Sequence, residues 1–157
     1  MDEVGAVAQR LDLTVGLIRS AALVQDILAA ASGEHELTAQ QAQLMCVVGE
    51  KPSSMMRLGA LLRIGKSSMT GLVRRAEQAG LVQRAPDPDD GRSTLIMLTE
   101  KGRRANTAFR GTVGERIEQI IVTLPAEERN CLAVALSTIV LDHQAPETWP
   151  TEQEEHA

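Results

Sequence analysis

Apolar positions hold a helical register at both ends of the chain and change period once, in the middle. Leu13, Leu17, Ala21, Val24 and Leu28 recur at three- and four-residue spacing, with Ile18, Ala22 and Ile27 beside them and no internal proline. That spacing predicts a long helix over about residues 2–31. Residues 32–36 are a polar break. Thr38 followed by Gln41 is a capping box, in which hydroxyl and amide each satisfy a backbone group at a helix start, so a second helix is predicted to about Val48, before Gly49 and Pro52. Ser53 or Ser54 can cap a short third helix carrying Leu58, Leu61 and Leu62, with Gly65 marking its end. Met69, Leu72, Val73, Ala76 and Ala79 then form one face of a fourth helix that begins near Lys66 and closes at Gly80. Two short helices across a tight glycine-containing turn are the sequence form of a helix-turn-helix.

The period shortens after Gly80. Residues 81–85 can form a strand, residues 86–91 are turn formers, and residues 93–98 return as a second strand, which makes a hairpin wing. Thr99 can cap a long helix to about Val122, and Pro125, with Glu127 and Glu128 behind it, starts another to about Leu141. The expected fold is mainly α with a small β-hairpin wing, a winged helix-turn-helix lobe carried on N- and C-terminal helices. Its expected divisions are 1–34 for an N-terminal dimerisation helix, 35–100 for the winged lobe, 101–143 for C-terminal dimerisation helices and 144–157 for a loose acidic tail. The first helix alone is roughly 40 Å long at about 1.5 Å per residue. It and the last two are apolar over more surface than a small lobe can cover. A second copy around a two-fold axis solves this; folding back onto the lobe in a monomer is the alternative.

Charge changes the picture by position. The 157 residues carry a net −5, but residues 57–104 hold ten basic and five acidic side chains and are +5, while the remainder is −10. A basic middle on acidic flanks is the footprint of a nucleic-acid-binding lobe on a solubilising scaffold, or else of solvated helix faces. Only two aromatics occur, Phe109 and Trp149, too few to stack unpaired bases. No uninterrupted apolar run approaches the roughly 20 residues of a membrane span, and no leader pattern marks export, so a cytoplasmic protein is expected. Cys46 and Cys131 are 85 positions apart and fit no metal or disulfide pattern. Three histidines at polar breaks or in the tail, with no nucleophile or phosphate-loop motif, argue against an enzyme.

At this point the chain resembles a known family. Leu37-Thr38-Ala39-Gln40-Gln41, the run from Gly65 to Val73, Gly80-Leu81-Val82-Gln83-Arg84, the run from Asp87 to Ser93, and Leu98-Thr99-Glu100-Lys101-Gly102 are similar in order and spacing to the MarR (multiple-antibiotic-resistance regulator) family over roughly residues 10–142. The resemblance implies a dimeric winged-helix transcriptional regulator, usually a repressor released by a small molecule, oxidant or metal. The chain departs from the pattern at Gly91, where the family's wing often carries a first arginine, so that Arg92 stands alone. Gly65 replaces the usual Asp or Ser cap. The peroxide-sensing branch has a cysteine in the first helix, and this chain has none there.

The unburied face of the fourth helix presents Lys66, Ser67, Ser68, Thr70, Gly71, Arg74 and Arg75. Small residues permit close approach to the major groove, hydroxyls bond base edges or phosphates, and arginine grips guanine with two hydrogen bonds. Arg92 at the wing tip suits the minor groove, and Asp90 is its expected support. Arg57, Arg63, Arg84 and Lys101 are candidates for phosphate positioning. In a dimer the two reading helices lie about one helical turn apart, roughly 34 Å, and read a palindrome. The effector is not specified. Met45, Met55 and Met56 can soften a pocket, although core filling is their simpler use. Glu34, His35, Cys46 and His143 are the available metal donors but lack a recognised spacing, and nothing local argues for a reactive Cys46 thiolate. A metal- or redox-responsive regulator of the same fold and a winged helix used for protein contact remain as alternatives.

Overall fold

The computed structural model describes residues 11–88, 93–143 and 148–149. Within them the order is α1 (Leu13–Glu34), α2 (Ala39–Val48), β1 (Ser53–Ser54), α3 (Met55–Leu62), α4 (Lys66–Gln78), β2 (Val82–Pro86), β3 (Thr94–Leu98), α5 (Glu100–Ile121) and α6 (Ala126–Asp142). Side-chain caps start most of the helices. Asp12 accepts from the amide of Val15, Ser54 from Arg57 and Thr99 from Gly102, while Thr38 and Gln41 form the reciprocal capping box. Each satisfies an orphan donor of a first helical turn.

Two boundaries differ from expectation. Helix α3 ends at Arg63, which takes the left-handed conformation at φ 53°, and Gly65 is the N-cap of α4 with no side-chain hydrogen bond. The turn therefore spends no glycine on its left-handed position. The hairpin also gains a third strand. Ser53 and Ser54 pair with Ile96 and Leu95, giving an antiparallel sheet of order β1-β3-β2. Two residues carry too little pattern to announce a strand, and the pairing is decided by where β3 lies.

Helix α2 is the shared wall between two apolar clusters. Its Leu44, Met45 and Val48 join Leu58, Met69, Val73, Leu81, Ile96 and Leu98 in the core of the winged lobe. Its Ala42 and Cys46 face the other way, onto Ile27 and Ala31 of α1 and Phe109 and Val113 of α5. The helical offsets of three and four residues separate the two sets onto opposite faces.

The outer helices are left largely uncovered. Helix α6 buries none of its residues, and Leu132, Val134, Leu136, Ile139, Val140 and Leu141 are exposed. On α1 only Ile27, Ala31 and Ser32 are buried, while Leu13, Leu17, Ile18 and Leu23 face outward. By length and composition alone α1 is apolar enough to cross a membrane, contrary to the expectation from uninterrupted apolar runs. Its flank on α5 and its place in a helical scaffold give that apolarity another use, the covering of helix against helix.

Candidate nucleic-acid interface

Helix α4 buries Met69, Leu72, Val73 and Ala76 and leaves Lys66, Ser67, Ser68, Thr70, Arg74 and Arg75 exposed, with Gly71 half-buried among them. The face anticipated from the sequence is therefore assembled on one helix, beside the hairpin. Its cations are not equivalent. Among the described residues the side chains of Arg57, Arg63, Lys66 and Arg74 have no hydrogen bond or ion pair. Arg75 donates to Gln40 Oε1 at 3.3 Å, tying α4 to the start of α2. Arg84 donates to both Glu77 carboxylate oxygens at 3.1 Å, and Lys101 Nζ donates to the Ala79 carbonyl at 2.7 Å. Arg84 and Lys101 are thus already spent on holding β2 and α5 to the end of α4, where a cation also complements the helix carbonyls. Thr70 Oγ1 donates to the Lys66 carbonyl at 2.9 Å and keeps only its lone pairs for a partner. Asp90, Gly91 and Arg92 lie outside the described residues; the strands that carry them are closed by Asp87 N donating to the Ser93 carbonyl at 3.1 Å.

The Leu-Thr-Glu-Lys-Gly run is a clamp between wing and scaffold. Thr99 Oγ1 donates to the Gly80 carbonyl at 2.6 Å and accepts from Gly102 N at 2.9 Å, while Thr99 N donates to the Leu81 carbonyl at 3.0 Å. A glycine at 102 lets α5 lie against the Leu81 backbone. Helix α4, the wing and α5 are in this way registered by backbone contacts and the short Thr99 side chain, in addition to the Arg84 and Lys101 contacts.

On the other side of α2 a cavity of about 380 Å³ opens between α1, α2 and α5. Helix α1 supplies Val24, Gln25 and Leu28, α2 supplies Ala42, Gln43 and Cys46, and α5 supplies Phe109, Val113 and Ile117; Thr148 and Trp149 complete the wall. The surface is apolar with a few amides, the composition of a small-molecule site. Since α2 lines this cavity with one face and packs the winged core with the other, a change here is mechanically continuous with α4.

Residues 35–93 match the model of the MarR family. The homoprotocatechuate degradative operon repressor of Escherichia coli is 28% identical over 144 residues, covering 90% of this chain and 97% of that protein. Among solved structures, RV1404 from Mycobacterium tuberculosis superposes with a TM-score of 0.73 at 25% identity, covering 85% of this chain and 93% of the other. NadR in complex with 4-hydroxyphenylacetate superposes at 0.65 with 24% identity, covering 84% and 94%. The chain is thus similar to MarR-family regulators, by sequence over its winged lobe and by fold over most of its length. It is a winged helix-turn-helix transcriptional regulator.

The metal donors suggested by the sequence are dispersed among other duties. Glu34 pairs with Arg116, His35 Nε2 meets Thr112 Oγ1 at 2.9 Å, and His143 Nδ1 lies 3.0 Å from the Ile139 carbonyl. Cys46 Sγ donates to Asn106 Oδ1 at 3.5 Å. Among the described residues no three His, Cys, Asp or Glu side chains gather where an ion could be held. Burial pushes the Cys46 thiol up to about 12, with the nearby Arg110 charge only partly opposing it. Such a thiol stays neutral and inert in neutral solution. Met45 is fully buried in the winged core and Met56 is exposed, and neither lines the cavity on α1. The cavity residues that sequence reasoning missed are Gln25, Gln43, Phe109 and Trp149. Their only signal was the rarity of Phe109 and Trp149.

Proposed function

We propose that the protein is a homodimeric cytoplasmic repressor that reads a palindromic DNA operator and is modulated by a small effector. The observation that carries the reading is the exposed α4 face, where the side chains of Lys66, Ser67, Ser68 and Arg74 have no hydrogen bond or ion pair among the described residues, beside a hairpin wing. Arg74 would read base edges, Lys66 and Arg63 would hold phosphates, and Arg92, supported by Asp90, would enter the minor groove. Dimerisation is supported by α6, a 17-residue helix that buries nothing within its own chain, and by the apolar outer face of α1. These helices, with 1–34 and 101–143 as the dimerisation parts and 35–100 as the reading lobe, set the distance between two copies of α4.

The effector reading rests on the cavity between α1, α2 and α5. The solved NadR holds 4-hydroxyphenylacetate, and the Escherichia coli relative is named for control of a homoprotocatechuate operon. A small phenolic acid is the effector class proposed here. Its binding would shift α2 and thereby the spacing of the reading heads.

Fluorescence anisotropy with a labelled duplex from the chain's own upstream region tests the DNA reading. Tight binding that falls by orders of magnitude between 50 and 200 mM salt, as expected for several phosphate contacts, supports it. Affinity equal to that for a scrambled duplex at every salt concentration overturns it.

A further inference from the structure

The chain holds two aromatic residues, 40 positions apart, and the fold brings both to the same cavity. The Phe109 and Trp149 ring centroids lie 6.1 Å apart at an interplanar angle of 57°. This is the tilted geometry in which the edge of one ring meets the electron-rich face of another. The Arg110 guanidinium carbon stands 5.5 Å from the centroid of the indole, within cation–π range. Trp149 remains 39% exposed, so the pair does not use up the indole surface. The rest of the wall is aliphatic, and its Gln25 and Gln43 amides have no hydrogen bond among the described residues.

The volume decides what the indole is. About 380 Å³ stays open with Trp149 in place, which is within the range of small-molecule sites, roughly 300–1,000 Å³. Trp149 therefore acts as a wall, not as an occupant. Resting on the reading of this cavity as the effector site, we infer that Trp149 is its specificity-determining residue: the indole and Phe109 form an aromatic corner for a planar ring, and the Arg110 guanidinium over the indole helps to hold that corner in place. Gln25 and Gln43 are placed to bond a ring hydroxyl. Trp149 also comes from beyond α6, so the occupant gathers α1, α2, α5 and Trp149 around itself.

Trp149 is the chain's single tryptophan, and its emission reports this corner alone. The experiment titrates the full-length protein with 4-hydroxyphenylacetate and with cyclohexylacetate, following emission and heat, and repeats the calorimetry on Trp149→Ala and Trp149→Phe. The wild type is expected to change its emission and to prefer the aromatic probe about tenfold. Trp149→Ala should bind it about tenfold more weakly and lose most of that preference, while Trp149→Phe stays within about threefold of the wild type. Unchanged or tighter binding by Trp149→Ala, with wild-type binding intact, overturns the role of Trp149 and leaves the effector site standing. No heat and no emission change with the wild type overturns the effector-site reading and this inference with it.

Discussion

A Cβ placed on Gly102 would lie 1.9 Å from the carbonyl oxygen of Leu81. The Cβ position is fixed by the backbone of the first turn of α5 and the oxygen belongs to the backbone at the start of the wing, so neither can swing aside. Gly102→Ala is expected to force α5 off the hairpin and to cost about 3 kcal/mol or more, lowering the melting temperature by roughly 10 °C. Differential scanning calorimetry checks this. A melting temperature within a degree or two of wild type would show that the close approach is not maintained in solution.

Gly71 gives the opposite balance. A Cβ there would meet only the flexible tip of Arg75, at 3.4 Å, and alanine is favoured over glycine inside a helix by about 1 kcal/mol. Gly71→Ala should therefore raise the urea midpoint while weakening operator binding about tenfold, because the missing side chain is what lets α4 approach the groove. Higher stability with undiminished affinity would remove Gly71 from the interface.

Arg74 and Arg84 should behave differently despite equal charge. Arg74 is unpartnered among the described residues, and Arg74→Ala is expected to relax preference at one base pair by about 1–3 kcal/mol. Arg84 is held by Glu77 at a surface position, a pair worth about 0.5 kcal/mol. Arg84→Ala should leave affinity within about twofold and the salt slope unaltered. Competition binding against a panel of single-base operator variants separates the two.

Cys46 and Cys131 should differ in reactivity. Cys131 is exposed on α6, while the Cys46 thiol is buried and raised from its ordinary 9.0 to about 12. A thiol whose folded pKa is raised contributes stability fully below its unfolded value. That contribution falls away as pH climbs from about 9 toward 12. At pH 8 a disulfide reagent should label monomeric protein at Cys131 and reach Cys46 only on denaturation. Rapid labelling of Cys46 in the native state would overturn this assignment.

Ile139, 46% exposed on α6, is expected to face the second copy. Ile139→Glu would bury an unpaired carboxylate in that contact and should shift a micromolar solution from dimer to monomer. Sedimentation velocity reads the state directly, with loss of operator binding as its consequence. A wild-type protein that sediments as a monomer at tens of micromolar would refute the dimer.

Local chemistry made much of the reading lobe legible in the sequence. The capping box at Thr38, the three-and-four spacing of Met69, Leu72, Val73 and Ala76, and the turn formers after Pro86 act over a few residues, and the sequence states them outright. The face of α4 follows from the same periodicity. The contacts of Arg84 and Lys101, the candidates for phosphate positioning, were not legible for the opposite reason, because Glu77 and Ala79 are brought to them by strand β2 and helix α5.

Local residue patterns thus account for the order of helices, the hairpin, the buried stripe of α4 and the excess of apolar surface on α1 and α6. The tertiary structure alone decided which cations remained unpartnered, that Ser53 and Ser54 add a third strand, and that Cys46 lies in an apolar wall with its thiol neutral. It also decided that Phe109 and Trp149 share a cavity. The division has a physical cause: helix and turn preferences are set by neighbours a few positions away, whereas ion pairs, cavities and pKa shifts depend on groups that only chain folding brings within a few ångströms.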